Sequence, residues 1–237
     1  MKMHTVPSIA VQSGQVIGQR DQQEDTCGWG RVPGGVWAAV ADGLGGHRAG
    51  QAAAQTALAV ITQHVATWTR SDLPTDDWIE DGLLTAQTAV EALAQPHEAT
   101  PPGTTLLWAL AQPPRCRIAH IGDSRGYLVH GDQVTPLTTD MTPAGERVRQ
   151  RHAPWNEQNT AADSHLLLSC LGQSPLMVNL FDVPWGAGDT LILTTDGLNL
   201  LPLPWWPLVV QRHLAIDAIL RLSRWSDNAT LVVLTHP

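Results

Sequence analysis

Two periods organise the apolar positions of this chain. Short apolar runs bounded by Gly, Pro and Asp predict strands over Val11–Gly18, Gly35–Ala41, Leu191–Thr195 and Thr230–Thr235. Three more strand signals follow one another in GTTLLWALAQ, CRIAHIGDS and GYLVHGDQVTPLT, with Gly131-Asp132 closing a hairpin. From Ala49 to about Thr69 the period changes. There Ala54, Leu58, Ile61, Val65 and Trp68 recur at helical spacing in an Ala-rich stretch. A second helix, about Thr75–Ala94, opens with two acids in its first turn and stops before Pro96, and a short amphipathic helix is expected over Arg212–Trp225. Thr138–Cys170 is the least regular stretch and reads as a surface segment with one or two helical turns around Ala144–Arg151. Helices cluster between groups of strands instead of alternating with them, which argues for an α+β chain of antiparallel sheets covered by helices.

Composition narrows this picture. With 237 residues, 43% of them hydrophobic, the chain can build one large core. Its motifs run from Arg20 to Asp227, so a single domain over 1–237 is expected. The net charge is −8, from 22 acidic and 14 basic residues, and no Lys/Arg cluster tracks a phosphate backbone, which excludes nucleic acid as a partner. No stretch approaches the roughly 20 apolar residues that span a bilayer, and the N-terminus lacks an apolar signal core. A cytoplasmic, monomeric protein is expected. Cys27, Cys116 and Cys170 are far apart and odd in number, which fits reduced thiols better than disulfides or a cysteine metal site. Trp205-Trp206, between prolines, is either a docking patch or a packed loop, and packing is favoured.

Candidate chemistry lies where strands meet carboxylates. ADGLGG at 41–46, IGDSRG at 121–126, TTDGL at 194–198 and SDNAT at 226–230 each place an Asp at the end of an apolar run or just before one. An isolated Asp-Gly is usually only a turn. Here the motif recurs, together with the Glu24-Asp25 pair and the GLGGH stretch, which no turn requires. Carboxylates aimed from strand ends with no Cys or His triplet nearby suit hard cations such as Mg2+ or Mn2+.

The order RDQQED, VADGLGGHRAG, GTTL, IGDSRGYL, LTTD, LLSCLG, LILTTDGL and SDNATLVV resembles the metal-dependent serine/threonine protein phosphatases of type 2C in their compact bacterial form. The resemblance covers nearly the whole chain. It implies a central antiparallel β-sandwich flanked by helices on both faces, four αββα layers, with the metals at one end of the sandwich and a flap at about 141–165. It implies that Asp42 bridges two metal ions, that Asp196 and Asp227 complete the first site, and that the Gly43 carbonyl and the pair Glu24-Asp25 hold the second. Arg20 matches the phosphate-binding arginine, Asp123 with Asp196 a weaker third metal site, and Asn228 follows the last ligand as in the family. The implied activity is hydrolysis of phosphoserine and phosphothreonine by a hydroxide held between two ions, on cytoplasmic proteins phosphorylated by a partner kinase. General chemistry supports these residue types. Two ions about 3.5–4 Å apart supply a nucleophile near neutral pH without a nucleophilic side chain. A guanidinium also presents a planar fork to phosphate oxygens.

Departures from the pattern are few. Gln23 stands where Asn is usual, and Asp140-Met141-Thr142 where Asp-His-Ser is common. Leu44 replaces the His that eukaryotic members carry after the first Asp-Gly, and His47 is not assigned its acid role. His120 and His152 could act as acids by location, but a packed or solvated ring is the simpler reading of each. Two rival functions are a small phosphomonoester hydrolase on the same scaffold and a catalytically silent domain that binds phosphoproteins. The second is disfavoured because Asp42, Asp196 and Asp227 are all retained.

Overall fold

The computed structural model describes residues 9–45, 47–95, 101–211 and 226–237. In chain order the first half contains β1 (Ala10–Val16), β2 (Asp25–Val32), β3 (Gly35–Leu44), α1 (His47–Val65), α2 (Asp76–Glu91), β4 (Gly103–Thr104), β5 (Leu106–Gln112) and β6 (Arg115–Ile121). The second half contains β7 (Arg125–His130), β8 (Gln133–Pro136), α3 (Pro143–Arg149), α4 (Glu157–Thr160), β9 (Asn179–Pro184), β10 (Asp189–Thr194), α5 (Trp205–Gln211) and β11 (Ala229–Thr235). One sheet has the order β1-β11-β10-β7-β8, the other β2-β3-β5-β6-β9 with β4 beside β3, and their strands pair antiparallel.

Side-chain alternation along the central strands builds the four layers. Successive strand residues face opposite sides, so Val36, Ala38 and Val40 of β3 join Leu107 and Ala109 of β5 against Leu191, Leu193, Val232 and Leu234 of the other sheet. The intervening Trp37, Ala39, Ala41, Leu106 and Trp108 face the opposite way and pack with Ala53, Ala57 and Ile61 of α1 and Ile79 and Leu83 of α2. On the far side, Tyr127, Ile192 and Leu231 pack with Trp206 and Val209 of α5. Strands buried on both faces read as continuous apolar runs, which is why VWAAV and LLWALA carry so strong a signal. The expected sandwich with helices on both faces is therefore present.

Several boundaries differ from expectation. α1 begins at His47 and ends at Val65, and β1 ends at Val16. α2 has Thr75 as N-cap, its hydroxyl accepting from Trp78 N, with Asp76 and Asp77 in the first turn as expected. The irregular segment holds α3, capped by Thr142, whose hydroxyl accepts from Gly145 N at 3.0 Å, and the one-turn α4. The helix expected over Arg212–Trp225 lies outside the described residues. Trp206 is fully buried against Tyr127, with ring centroids 5.3 Å apart, so packing accounts for it, whereas Trp205 is exposed. Among the described residues no helix is long and apolar enough to cross a membrane.

Two strands lack a sequence signal. β2 contains Gly28 and Gly30, poor strand formers; a Cβ at Gly30 would stand 2.7 Å from Trp37 Nε1, and one at Gly28 would stand 3.1 Å from Leu58. The glycines make room for the neighbouring side chains, and the pattern suffers. β9 is a partly exposed strand beside β6, closed by Pro184.

The helix-facing layer yields a stability test. Trp108→Ala should cost about 3–5 kcal/mol as a large buried ring is lost, and Ala39→Leu about 1–3 kcal/mol by overpacking the face shared with α1. Urea unfolding measures both; losses under about 0.5 kcal/mol would mean that this face is not tightly packed.

Candidate active site

Strand ends bring the motif residues together. β3 delivers Asp42 and Gly43 at its C-terminal end, and Asp25, the first residue of β2, stands opposite Asp42 in the register. β6 ends at Ile121, just before Gly122-Asp123, and β10 at Thr194, just before Asp196. β11 starts immediately after Asp227-Asn228. Arg20 reaches the same end of the sandwich, its Nη2 donating to Asp227 Oδ2 at 2.5 Å. Asp42 and Asp196 touch through a hydrogen bond between their carboxyls.

Neutral side chains fix these carboxylates in place. Thr104 Oγ1 and Thr105 N both donate to the Asp42 carbonyl, at 2.8 and 2.9 Å, while Asp42 N donates to Thr105 Oγ1 at 3.0 Å. Thr105 Oγ1 also lies 2.9 Å from Ser124 Oγ, tying the Asp42 end to the Asp123 turn. Thr195 Oγ1 donates to Asp25 Oδ2 at 2.7 Å and accepts from Thr230 N at 2.9 Å. Asn228 binds the Arg20–Glu24 loop: its Nδ2 donates to the carbonyls of Ile17 and Gln22 at 2.8 and 3.0 Å, and its Oδ1 accepts from Glu24 N at 2.7 Å. The GTT and TTD motifs are thus clamps as well as strand ends.

Burial and crowding hold the carboxyls toward their neutral forms. Asp42 and Asp123 lie well above the ordinary carboxylate range, chiefly because they are buried and then because Asp196 is near. Burial also raises Asp196, with the charge of Asp227 adding, while its hydrogen bond with Asp42 acts in the opposite sense. Asp25 is pushed up to about 7, by burial first and then by Asp196 and Asp227, against the hydrogen bond from Thr195. Removing charge from water is costly unless a countercharge replaces it. Two guanidiniums stand close by, but Arg20 is engaged by Asp227 and Arg125 is bound bidentately by Asp140 at 2.7 and 2.6 Å.

One carboxylate oxygen of this cluster has unused capacity, and a cradle of oxygens lies beside it. Asp25 Oδ1 is buried without a hydrogen-bond partner. A Cβ on Gly50 would stand 2.3 Å from Glu24 Oε2 and 2.8 Å from the Gly43 carbonyl oxygen, and one on Gly43 would stand 2.1 Å from the Gly50 carbonyl. Glycine at both positions leaves a cradle of oxygens around Glu24 and Gly43. Gly50 was not singled out by sequence, although its place at the start of an Ala-rich helix is the kind of position where a glycine needs a reason. Hard cations bind such oxygen sets, so the residues present fit Mg2+ or Mn2+. Among the described residues, no three His, Cys, Asp or Glu side chains are already arranged to hold an ion.

Beside the carboxylates is a cavity of about 230 Å³ reached by Asp123, Asp196, Asp227, Asn159, Ser164 and His165. The 141–165 segment forms one wall. It is anchored at its base by Met141 N donating to the Gly122 carbonyl at 2.9 Å and Leu168 N to the Met141 carbonyl at 2.7 Å. His120 is fully buried with neither ring nitrogen hydrogen-bonded, and burial lowers it to about 4, so it is a neutral core residue. His152 does not line the cavity. Asn159, His165 and the Arg125–Asp140 pair were not legible as site residues, because they sit in the irregular stretch or depend on contacts between distant segments.

A family model described as Protein phosphatase 2C matches residues 15–219. Serine/threonine phosphatase stp of Listeria innocua is 32% identical over 170 residues, spanning 69% of this chain and 67% of that protein. Serine/threonine protein phosphatase PstP of Mycobacterium tuberculosis is 30% identical over 207 residues, 82% of this chain but 39% of that protein. The solved catalytic domain of PstP in complex with two manganese ions is 26% identical, covers 96% of this chain and 97% of its own, and has a TM-score of 0.75. The S. agalactiae serine/threonine phosphatase, at 24% identity and a TM-score of 0.81 over 97% of this chain and 100% of that one, shares the fold.

Raised carboxyls make stability depend on pH. A carboxyl that holds its proton up to about 7 when folded, but only to about 4 when unfolded, makes the folded state bind more protons in between. Stability therefore falls as pH rises through that window. With chelator present, the protein should lose at least about 1 kcal/mol between pH 4 and pH 8 through this group, and Asp25→Asn should flatten the slope. Thermal melts across pH check this, and a wild-type melting temperature that rises from pH 4 to 8 in parallel with that of Asp25→Asn would contradict it.

Proposed function

The chain belongs to the protein phosphatase 2C family, and from that premise we propose that the cleft at the end of its sandwich hydrolyses phosphoserine and phosphothreonine in proteins. The observation that carries this reading is the crowding of Asp25, Asp42, Asp123 and Asp196 at one end of the sandwich with raised carboxyls, a crowding that bound cations would relieve. In this proposal Asp42, Asp196 and Asp227 hold one Mg2+ or Mn2+, and Asp42, the Gly43 carbonyl and the Glu24-Asp25 pair a second. Asp123 and Asp196 would hold a weaker third. When bound, the ions supply an activated water and positive charge that offsets the phosphoryl oxygens.

The chain's own groups supply positioning. The Arg20 guanidinium is about half exposed at the rim, where its planar fork can take two oxygens of an entering phosphate. Asn228 fixes the loop that carries Arg20, so the fork is held in register with the carboxylates. The thiols take no part. Cys116 and Cys170 are buried, and burial holds all three thiols in their unreactive protonated form. Relatives named serine/threonine phosphatases support phosphorylated proteins as substrates, and we infer that these are cytoplasmic targets of a partner serine/threonine kinase, acted on by a monomer.

Three outcomes test the reading. Turnover of p-nitrophenyl phosphate and a phosphothreonine peptide should be absent in excess EDTA, return with Mn2+ or Mg2+, and survive thiol alkylation. Asp42→Asn or Asp196→Asn should lower kcat at least about a hundredfold. Arg20→Ala should act mainly by raising KM, because phosphate is bound in ground and transition states alike. Full activity in EDTA would refute the metal assignment. Activity on the aryl ester without any on phosphopeptides would favour a small-ester hydrolase.

A further inference from the structure

We propose that His165 is the general acid that protonates the serine or threonine oxygen as it leaves phosphorus, and that Asp163, clamped by Arg147, positions it. The inference rests on the phosphatase reading above and deepens it.

The chemistry creates the need. An alkoxide is a far stronger base than water at neutral pH can tolerate, so breaking the bond from phosphorus to a serine oxygen requires a proton on that oxygen. Leu44, beside Gly43, offers none. The cavity at the carboxylates narrows the choice of donor. Asp140 has both oxygens taken by Arg125, and Asp123, Asp196 and Asp227 belong to the cation group. Ser164 and Ser226 are too weakly acidic to give up a proton. Among the described residues on the cavity wall, the remaining titratable side chain is the exposed imidazole of His165, a residue type suited to proton transfer near neutral pH.

The turn that carries His165 is tied to the helices beside it. Two residues earlier, Asp163 receives Arg147 Nη1 and Nη2 at 2.8 and 2.9 Å, and Arg147 Nε donates to Glu157 at 2.8 Å. Arg147 thus joins α3, α4 and the 163–165 turn. The Asp163 carboxyl lies below its ordinary range, first because of these Arg147 hydrogen bonds, and the imidazole of His165 is near enough to add to the effect. A carboxylate fixed by a guanidinium two residues before an imidazole limits the places that ring can take.

In the step itself, a water oxygen forms a bond to phosphorus and releases its proton to solvent. The bond to the serine or threonine oxygen breaks with its electron pair on that oxygen, which takes the proton from His165. The products are inorganic phosphate and a free hydroxyl, and solvent returns a proton to the ring.

Leaving-group dependence separates an acid from a docking residue. With Mn2+ present, turnover of p-nitrophenyl phosphate, phenyl phosphate and a phosphothreonine peptide should be measured for wild type, His165→Gln, His165→Ala and Asp163→Asn. Melting temperatures report on the fold. His165→Gln should lower kcat about a hundredfold or more on phenyl phosphate and the peptide, yet within about threefold on p-nitrophenyl phosphate, whose phenolate leaves unaided. Asp163→Asn should give the same order at about tenfold, and added imidazole should restore phenyl phosphate turnover to His165→Ala. An equal fall on all three esters, or a rise in peptide KM alone, would overturn the proposal. Wild-type inactivity on every ester would overturn the phosphatase reading itself.

Discussion

Mutual repulsion among buried carboxylates is the constraint around which this molecule is organised. Asp25, Asp42, Asp123 and Asp196 come from four separate strand ends, and burial first, then the charge of neighbouring carboxylates, raises each of them. Left to themselves, such groups would separate into solvent, because isolated charge in a low-dielectric setting costs several kcal/mol. The sandwich prevents this. Its two-sided core fixes the strands, and hydroxyls and amides of Thr104, Thr105, Thr195 and Asn228 fix the strand ends without adding charge. Neutral clamps suit the purpose, since a basic partner on each carboxylate would satisfy it and leave nothing for a ligand.

Where the chain does place a buried ion pair, it is set one layer back from that group. Arg125 and Asp140 join the start of β7 to the segment before α3, with both side chains almost wholly enclosed. Burying such a pair contributes little net stability, and removing one member is costly. Its effect is geometric. The pair fixes the root of the 141–165 segment beside Asp123, while Arg147 organises its outer part through Glu157 and Asp163. A polar, largely helix-poor wall is thereby held close to a cluster that would otherwise repel other acidic segments.

Legibility in the sequence followed the physics of each element. Strands buried on both faces were plain because nothing but apolar residues fits them, and the long helices because their apolar positions recur at the helical period. β2 was invisible for a local reason: Gly28 and Gly30 yield to Trp37 and Leu58, so the strand lacks the residues that mark strands. Its loss from the reading hid the pairing of Asp25 with Asp42. The carboxylates themselves were legible because each is punctuated by Gly or Asn at a strand end, and the family resemblance then ordered them. The clamps, the Gly43–Gly50 contact and the Arg147 network depend on segments far apart in the chain, and single-sequence patterns do not carry that information. Shape complementarity between loops is settled only in three dimensions.

Asn228 has a consequence for the order of events during synthesis. It closes contacts with Ile17, Gln22 and Glu24 across more than two hundred residues, and among the described residues β1 pairs in its sheet with β11 alone. Contacts of such separation form late, after most of the chain has been made. On the ribosome, the Asn228 contacts to the loop bearing Arg20 and Glu24 therefore wait until β11 has been made. A nascent chain can hold most of its core and still lack these contacts, so the cleft is completed only when β11 joins the sheet.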